Sequence, residues 1–101
     1  MVVDRLLLAG TYENSIMIFD LGTLVCVRAL AGHIGAVYAV CAQDGKRVFS
    51  GSYDSTIKVW NLENYKCIQT LKRHASSVEA LVCAGDYVFS ASSDNSIKVF
   101  R

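Results

Sequence analysis

Proline is absent from the 101 residues and charge is scarce, with 19% Asp, Glu, Lys or Arg and a formal net charge of +1. The small net charge leaves no electrostatic case for a nucleic-acid partner. No stretch approaches a membrane span, and Leu6–Ala9 is too short for a signal-peptide core, so no membrane partner is expected. The 7 glycines fall singly, without the Gly-x-Gly-x-x-Gly run that cradles phosphates. None of the 4 cysteines forms a Cys-x-x-Cys pair. What the chain does have is apolar residues, 52% of the total, and a repeat.

The repeat centres on Arg47–Trp60, RVFSGSYDSTIKVW. Two short runs, Val48–Ser52 and Thr56–Trp60, flank a polar turn at Tyr53–Ser55, where Asp54 and Ser55 can bond nearby backbone groups. Thr56, Ile57 and Val59 are β-branched and suit a pleated strand. The hairpin returns at Val88–Phe100, 40 residues on, with 8 of 13 positions identical to Val48–Trp60. A more worn copy stands at Leu7–Phe19, offset by 41. Cys26–Leu30 matches Cys67–Leu71 and His33 matches His74, also at 41. A fixed period of this size marks a repeat architecture. Four short β-runs per period point to a propeller blade rather than a helical solenoid. Stacked blades also account for the apolar runs Val37–Ala42 and Ala80–Ala84, because strands covered on both faces lose clean alternation.

Gly32-His33, then SGSYD about 20 residues later, then TIKVWN, resembles the WD40 repeat, with Asn61 in place of the usual Asp. The resemblance covers essentially the whole chain. It implies blades with an innermost strand a, then b, c and an outermost d. It also implies a buried tetrad of His, strand-b Ser or Thr, turn Asp and strand-c Trp. Carried over, the complete set is His33, Ser50 or Ser52, Asp54 and Trp60. The next blade would use His74, Ser90 or Ser92, and Asp94, with Phe100 where the indole donor would stand. The first has Thr11, Glu13 and Phe19, with no preceding His.

In chain order, Arg5–Thr11, Ser15–Asp20 and Leu24–Leu30 read as strands b, c and d. Ala36–Ala42, Val48–Ser52, Thr56–Trp60 and Lys66–Leu71 read as a, b, c and d. Ser77–Cys83, Tyr87–Ser92 and Ser96–Phe100 read as a, b and c. The expectation is an all-β partial WD40 β-propeller of ten strands, b-c-d, a-b-c-d, a-b-c, with repeat units near 1–30, 31–71 and 72–101. Propellers have 4–8 blades, so this chain alone does not close a ring and reads as a piece of a longer protein. An end face leaving ~500 Å² of apolar surface wet forfeits about 12 kcal/mol at ~25 cal/mol per Å². That rivals the whole stability of an ordinary domain, so isolated material is expected to be unstable, aggregated or oligomeric.

The repeat also weighs against catalysis. His33 and His74 occupy matching positions, as do Asp54 and Asp94, which favours structural hydrogen bonding over a base, metal site or carboxylate pair. Ser50 and Ser52 lack a nucleophile-elbow context. Cys26 and Cys67 sit at equivalent d-strand places, and Cys41 and Cys83 near the ends of a-strands. A blade-to-blade step of ~10 Å is too wide for a disulfide, so all four are expected as buried free thiols. Free thiols imply a reducing compartment, cytoplasmic or also nuclear. No cofactor or metal is expected.

The family resemblance implies a face of b–c turns and d–a crossings that binds protein partners. The matching residues are Tyr12, Tyr53 and Ser93 on turns, and Ile34, Lys72, Arg73 and Ala75 on crossings. Tyrosine and arginine are enriched at interface hot spots, although lone exposed tyrosines can also merely cover neighbouring turns. The leading reading is a non-catalytic scaffold that recruits a substrate or partner into a larger complex. The phrases LAGTYENSIMIFD, VFSGSYDSTIKVW and CIQTLKRH are most similar to two kinds of propeller: those of RING-type ubiquitin ligases related to tumour-necrosis-factor-receptor-associated factors, and those of alpha-type myosin-heavy-chain kinases. An enzyme with its site in the propeller channel is the second reading, but strand a offers only Tyr38 and Glu79 as polar groups there. A third is a short repeat protein that assembles with itself or with other blade-bearing chains.

Overall fold

Each repeat folds as one antiparallel sheet in a computed structural model that describes residues 1–3 and 5–100. The first sheet runs β1 (Val2–Val3), β2 (Leu6–Gly10), β3 (Ser15–Asp20), β4 (Cys26–Ala31) in spatial order. The second runs β5 (Val37–Gln43), β6 (Arg47–Ser52), β7 (Ile57–Asn61), β8 (Lys66–Leu71). The third holds β9 (Val78–Ala84), β10 (Tyr87–Ser92) and β11 (Ile97–Phe100), with β10 in the middle. These are successive blades of a propeller, and the described residues do not close a ring. The described strands number eleven, not the expected ten. The extra one is β1, which pairs Val2 with Leu7 and Val3 with Leu6 and takes part of the strand-a place in the first blade.

The turns repeat as faithfully as the strands. Asn14, Ser55 and Asn95 have φ of 71°, 72° and 68° at equivalent b–c turns. Leu24 and Tyr65 have φ of 61° and 60° at equivalent c–d turns. There the Leu24 amide donates to the Asp20 carbonyl and the Tyr65 amide to the Asn61 carbonyl, each at 2.7 Å. Asparagine tolerates the left-handed region, whereas leucine and tyrosine enter it only because the turn demands it.

Blades lean on one another through one face each. Leu8, Ile16 and Ile18 of the first pack with Val37, Val48 and Trp60 of the second. Phe49, Ile57 and Val59 of the second pack with Val78, Leu81 and Val88 of the third. Strand-b glycines let neighbouring blades approach closely. A Cβ on Gly10 would lie 2.8 Å from the Val37 carbonyl oxygen, and one on Gly51 would lie 2.6 Å from Val78 Cγ1. The valine that opens each strand a therefore needs a bare backbone beneath it.

The cysteine expectation is corrected. Cys41 and Cys83 form a disulfide, with Cα atoms 6.1 Å apart. They are 42 residues apart, whereas Val37 and Val78, like His33 and His74, are 41 apart. A one-residue slip along a strand sends a side chain to the opposite face. Cys41 thus faces the third blade, Cys83 faces back at it, and the ~10 Å between sheet centres is spanned from both sides. Cys26 and Cys67 are free, as expected, but exposed rather than buried, because outermost strands β4 and β8 turn them outward. The thiol argument for a reducing compartment then rests on those two alone.

The third blade shows the face that its neighbours cover. Ile16 and Ile57 are 0% exposed, while their repeat equivalent Ile97 is 72% exposed, beside Val82, Phe89 and Val99. An apolar patch of this kind marks an association surface. The chain is therefore predicted to self-associate with rising concentration, and Ile97→Lys to weaken that association. Sedimentation velocity over a roughly tenfold concentration range checks this; identical, concentration-independent values for both proteins would contradict it.

Candidate functional site

The second blade ties its crossing to its hairpin through one histidine ring. His33 lies on the connection from β4 to β5, Ser50 on β6, Trp60 on β7 and Asp54 in the turn between β6 and β7. The Asp54 carboxylate accepts from His33 Nδ1 at 2.9 Å, which places the ring proton on that nitrogen. Nε2 is then free to accept, and the Ser50 hydroxyl donates to it at 2.6 Å. Ser50 Oγ in turn accepts from Trp60 Nε1–H at 2.8 Å. Burial lowers the His33 pKa, outweighing the upward pull of Asp54, so the ring stays neutral. Asp54 also accepts from the Ile34 amide at 3.0 Å and, through its other oxygen, from the Thr56 amide at 2.9 Å and hydroxyl at 2.5 Å. Burial pushes its carboxyl up, but these donors and His33 outweigh it and hold it at about 2.

Ser52, the other serine considered, has a different task. Its hydroxyl meets the Gly35 and Ala36 carbonyls at 3.0 and 2.8 Å and accepts from the Asp54 amide at 3.1 Å. The third blade repeats both arrangements. His74 Nε2 meets Ser90 Oγ at 2.7 Å, and Nδ1 meets Asp94 at 3.0 Å. Ser92 meets the Ser76 and Ser77 carbonyls at 3.2 and 2.8 Å. Phe100 brings no donor to Ser90. The Asp94 carboxyl is held well below its usual range, first by the Ser96 hydroxyl and then by the Ala75 amide. In the first blade Thr11 stands at the Ser52 position, accepting from the Glu13 amide at 3.2 Å. Ala9 stands at the Ser50 position there, opposite Met17 and beside the strand that carries Phe19, so this blade keeps the turn lock and lacks the histidine one.

Thr56 and Ser96 were missed as members of this network. Their signal was present, since Ser15, Thr56 and Ser96 place a hydroxyl at the same point of all three repeats.

These bonds tie down a face of turns and crossings. Tyr12 and Tyr53 are 82% and 64% exposed on it, with Ile34, Ala75, Lys72, Arg73 and Ser93 also exposed. The structure brings both Tyr12 and Tyr53 against Tyr38 on β5, with ring centroids 6.1 and 6.3 Å away. Ile34 and Lys72 line a separate cleft with Asp54, Thr56, Lys58 and Thr70. Arg73 lies with Lys72 beside Lys98, Val99 and Phe100. Ser93 is occupied by Ser76 and Ser77 hydroxyls at 2.8 and 2.9 Å.

Stacked antiparallel sheets, the second stapled by a His–Ser–Asp–Trp network and the third by its His–Ser–Asp part, define a β-propeller repeat protein. Residues 24–61 and 65–101 match the model of the WD40 family, described as the WD domain, G-beta repeat, and the chain belongs to that family. WD40 domains generally bind protein partners and are generally non-catalytic. The chain is similar to a solved structure, the crystal structure of the computationally designed Ika4 protein, with TM-score 0.89 and 28% identity. That match covers 99% of this chain and 62% of the designed one, so the chain spans under two thirds of its length. No curated protein sequence matches the chain.

Two outcomes follow from the network. Ser50→Ala strands the His33 and Trp60 nitrogens in the interior and is predicted to cost about 3 kcal/mol. Trp60→Phe, which copies the third blade, should cost less in lost hydrogen bonding than Ser50→Ala. Urea unfolding compares the two, and an unshifted Ser50→Ala midpoint would remove the network from the stability account.

Stability should also fall with acid. His33 has a lowered folded pKa, so below 6.5 the unfolded chain binds the extra proton. Asp54 stays ionised down to about 2 against 3.8 unfolded, so its contribution is complete above 3.8 and lost as pH drops towards 2. Urea midpoints are expected to be level above about pH 7 and to decline from about pH 6.5 downward. A rise between pH 7 and 5 would contradict the neutral His33.

Proposed function

We propose that this chain serves as a non-catalytic recruitment surface within a larger propeller. Its partner would meet the b–c turns and d–a crossings of the first and second blades. One observation carries the reading: Tyr12, Tyr53 and Ile34 stay exposed on loops that the structure otherwise ties down. Asp54 and Ser52 fasten the turn and crossing of the second blade to each other, so little ordering entropy remains to be lost on binding. Large aromatics on a preorganised surface are the usual anchors of protein interfaces.

The resemblance to ubiquitin-ligase and alpha-type kinase propellers supports the finer reading, in which the recruited protein is a substrate delivered to a catalytic domain elsewhere. The exposed third-blade face supports further blades as its neighbours. The Cys41–Cys83 bond joins two blades.

Replacing both Tyr12 and Tyr53 by alanine in the full-length parent is predicted to reduce partner capture at least about tenfold while leaving folding intact. Quantitative affinity capture with circular dichroism as the folding control measures this. Unchanged capture by a folded double variant would remove the tyrosine face from the reading.

A further inference from the structure

Three tyrosines from three separate segments meet on the partner face. Tyr12 comes from the first blade's b–c turn, Tyr38 from β5 and Tyr53 from the second blade's b–c turn. Tyr12 and Tyr38 are nearly perpendicular at 83°, and Tyr38 and Tyr53 at 90°. In such edge-to-face contacts each ring satisfies one partner and leaves other π surface open. All three rings remain exposed, so water touches an aromatic surface that packing alone does not account for. A cleft of about 260 Å³ opens beside the first pair, lined by Gly10, Thr11, Tyr12, Val37 and Tyr38.

A carboxylate acts on this cluster. Glu79 holds the same place on β9 that Tyr38 holds on β5, 41 residues earlier, one blade away on the neighbouring innermost strand. Its carboxylate is exposed and is steadied by the Ser77 hydroxyl at 2.9 Å. It acts on the Tyr38 hydroxyl, which burial first and Glu79 second push above its usual pKa. The other groups acting on that hydroxyl are Tyr12 and Tyr53. Aromatic faces with a carboxylate at their rim attract a cation from two directions.

We propose that the Tyr12–Tyr38–Tyr53 cluster, with Glu79 at its edge, receives a lysine or arginine side chain of the protein partner. This rests on the partner-face reading above and specifies its chemistry. The rings take the cation against their faces, and Glu79 supplies the opposite charge. An aliphatic side chain of equal length would gain the apolar contact and neither electrostatic term.

The test uses three dye-labelled peptides, acetyl-Gly-X-Gly-Gly with X as lysine, arginine or norleucine, titrated with the full-length parent and read by fluorescence anisotropy. Lysine or arginine is expected to bind about 5- to 30-fold more tightly than norleucine, the range that a partly desolvated cation–π contact supplies. Glu79→Gln should reduce that preference by about threefold, and Tyr38→Ala should abolish it, while Tyr38→Phe keeps the ring and the preference. Equal binding of all three peptides, or a preference that survives Tyr38→Ala, overturns the proposal. In either case, partner capture that is still lost in the Tyr12/Tyr53 double variant would show that the face is right and its cation preference wrong. Capture that is also unchanged would sink the partner face with it.

Discussion

A single imidazole held at both nitrogens sets the geometry of the second blade. His33 enters from the connection between blades, while Ser50 and Asp54 belong to the hairpin it crosses. The ring therefore fixes where one sheet begins relative to the turn of that same sheet. Neutrality is essential to this role, since Nε2 accepts from serine only while unprotonated. Burial and the low Asp54 pKa act together: one disfavours a charged ring, and the other keeps an acceptor opposite Nδ1. Because Asp54 also holds the Ile34 amide, the same carboxylate shapes the loop that carries an exposed partner-face residue.

Much of this was legible in the sequence because the repeat states it more than once. The strands and hairpin turns follow from the fixed offsets of the repeat, while the strand order within a blade and the meeting of His33 with Asp54 follow from the resemblance to the WD40 repeat. The choice between Ser50 and Ser52 was not legible. Both serines lie on the same face of β6, and only the depth of the crossing decides which one the ring reaches. Ala9 at the Ser50 position of the blade that has no histidine was the available clue. The disulfide was misread for a similar reason. Cys41 and Cys83 are only nearly equivalent, and one residue of slip is enough to turn a side chain round. Tyr38 and Glu79 carried no motif at all, and they gain meaning only when folding sets them beside turns that are distant in sequence.

The three blades also differ in how much they specify. The first keeps its turn lock through Thr11 but has alanine and phenylalanine where the buried polar network would lie. The third keeps histidine, serine and aspartate yet loses the indole donor. Packing suffices to seat a sheet, as Leu8, Ile16 and Ile18 are covered within the blade that lacks the network, against the second blade that has it. The polar network adds definition to a stack that apolar contact already holds together.

The strand-b glycine gives the stack a rule for growth. Gly10 and Gly51 each admit a valine from the following sheet. At the same point the third blade carries Ala91, whose methyl group fills the seat that those valines use. A further sheet laid on that face would have to bring a smaller residue there or stand farther off than the first two junctions allow.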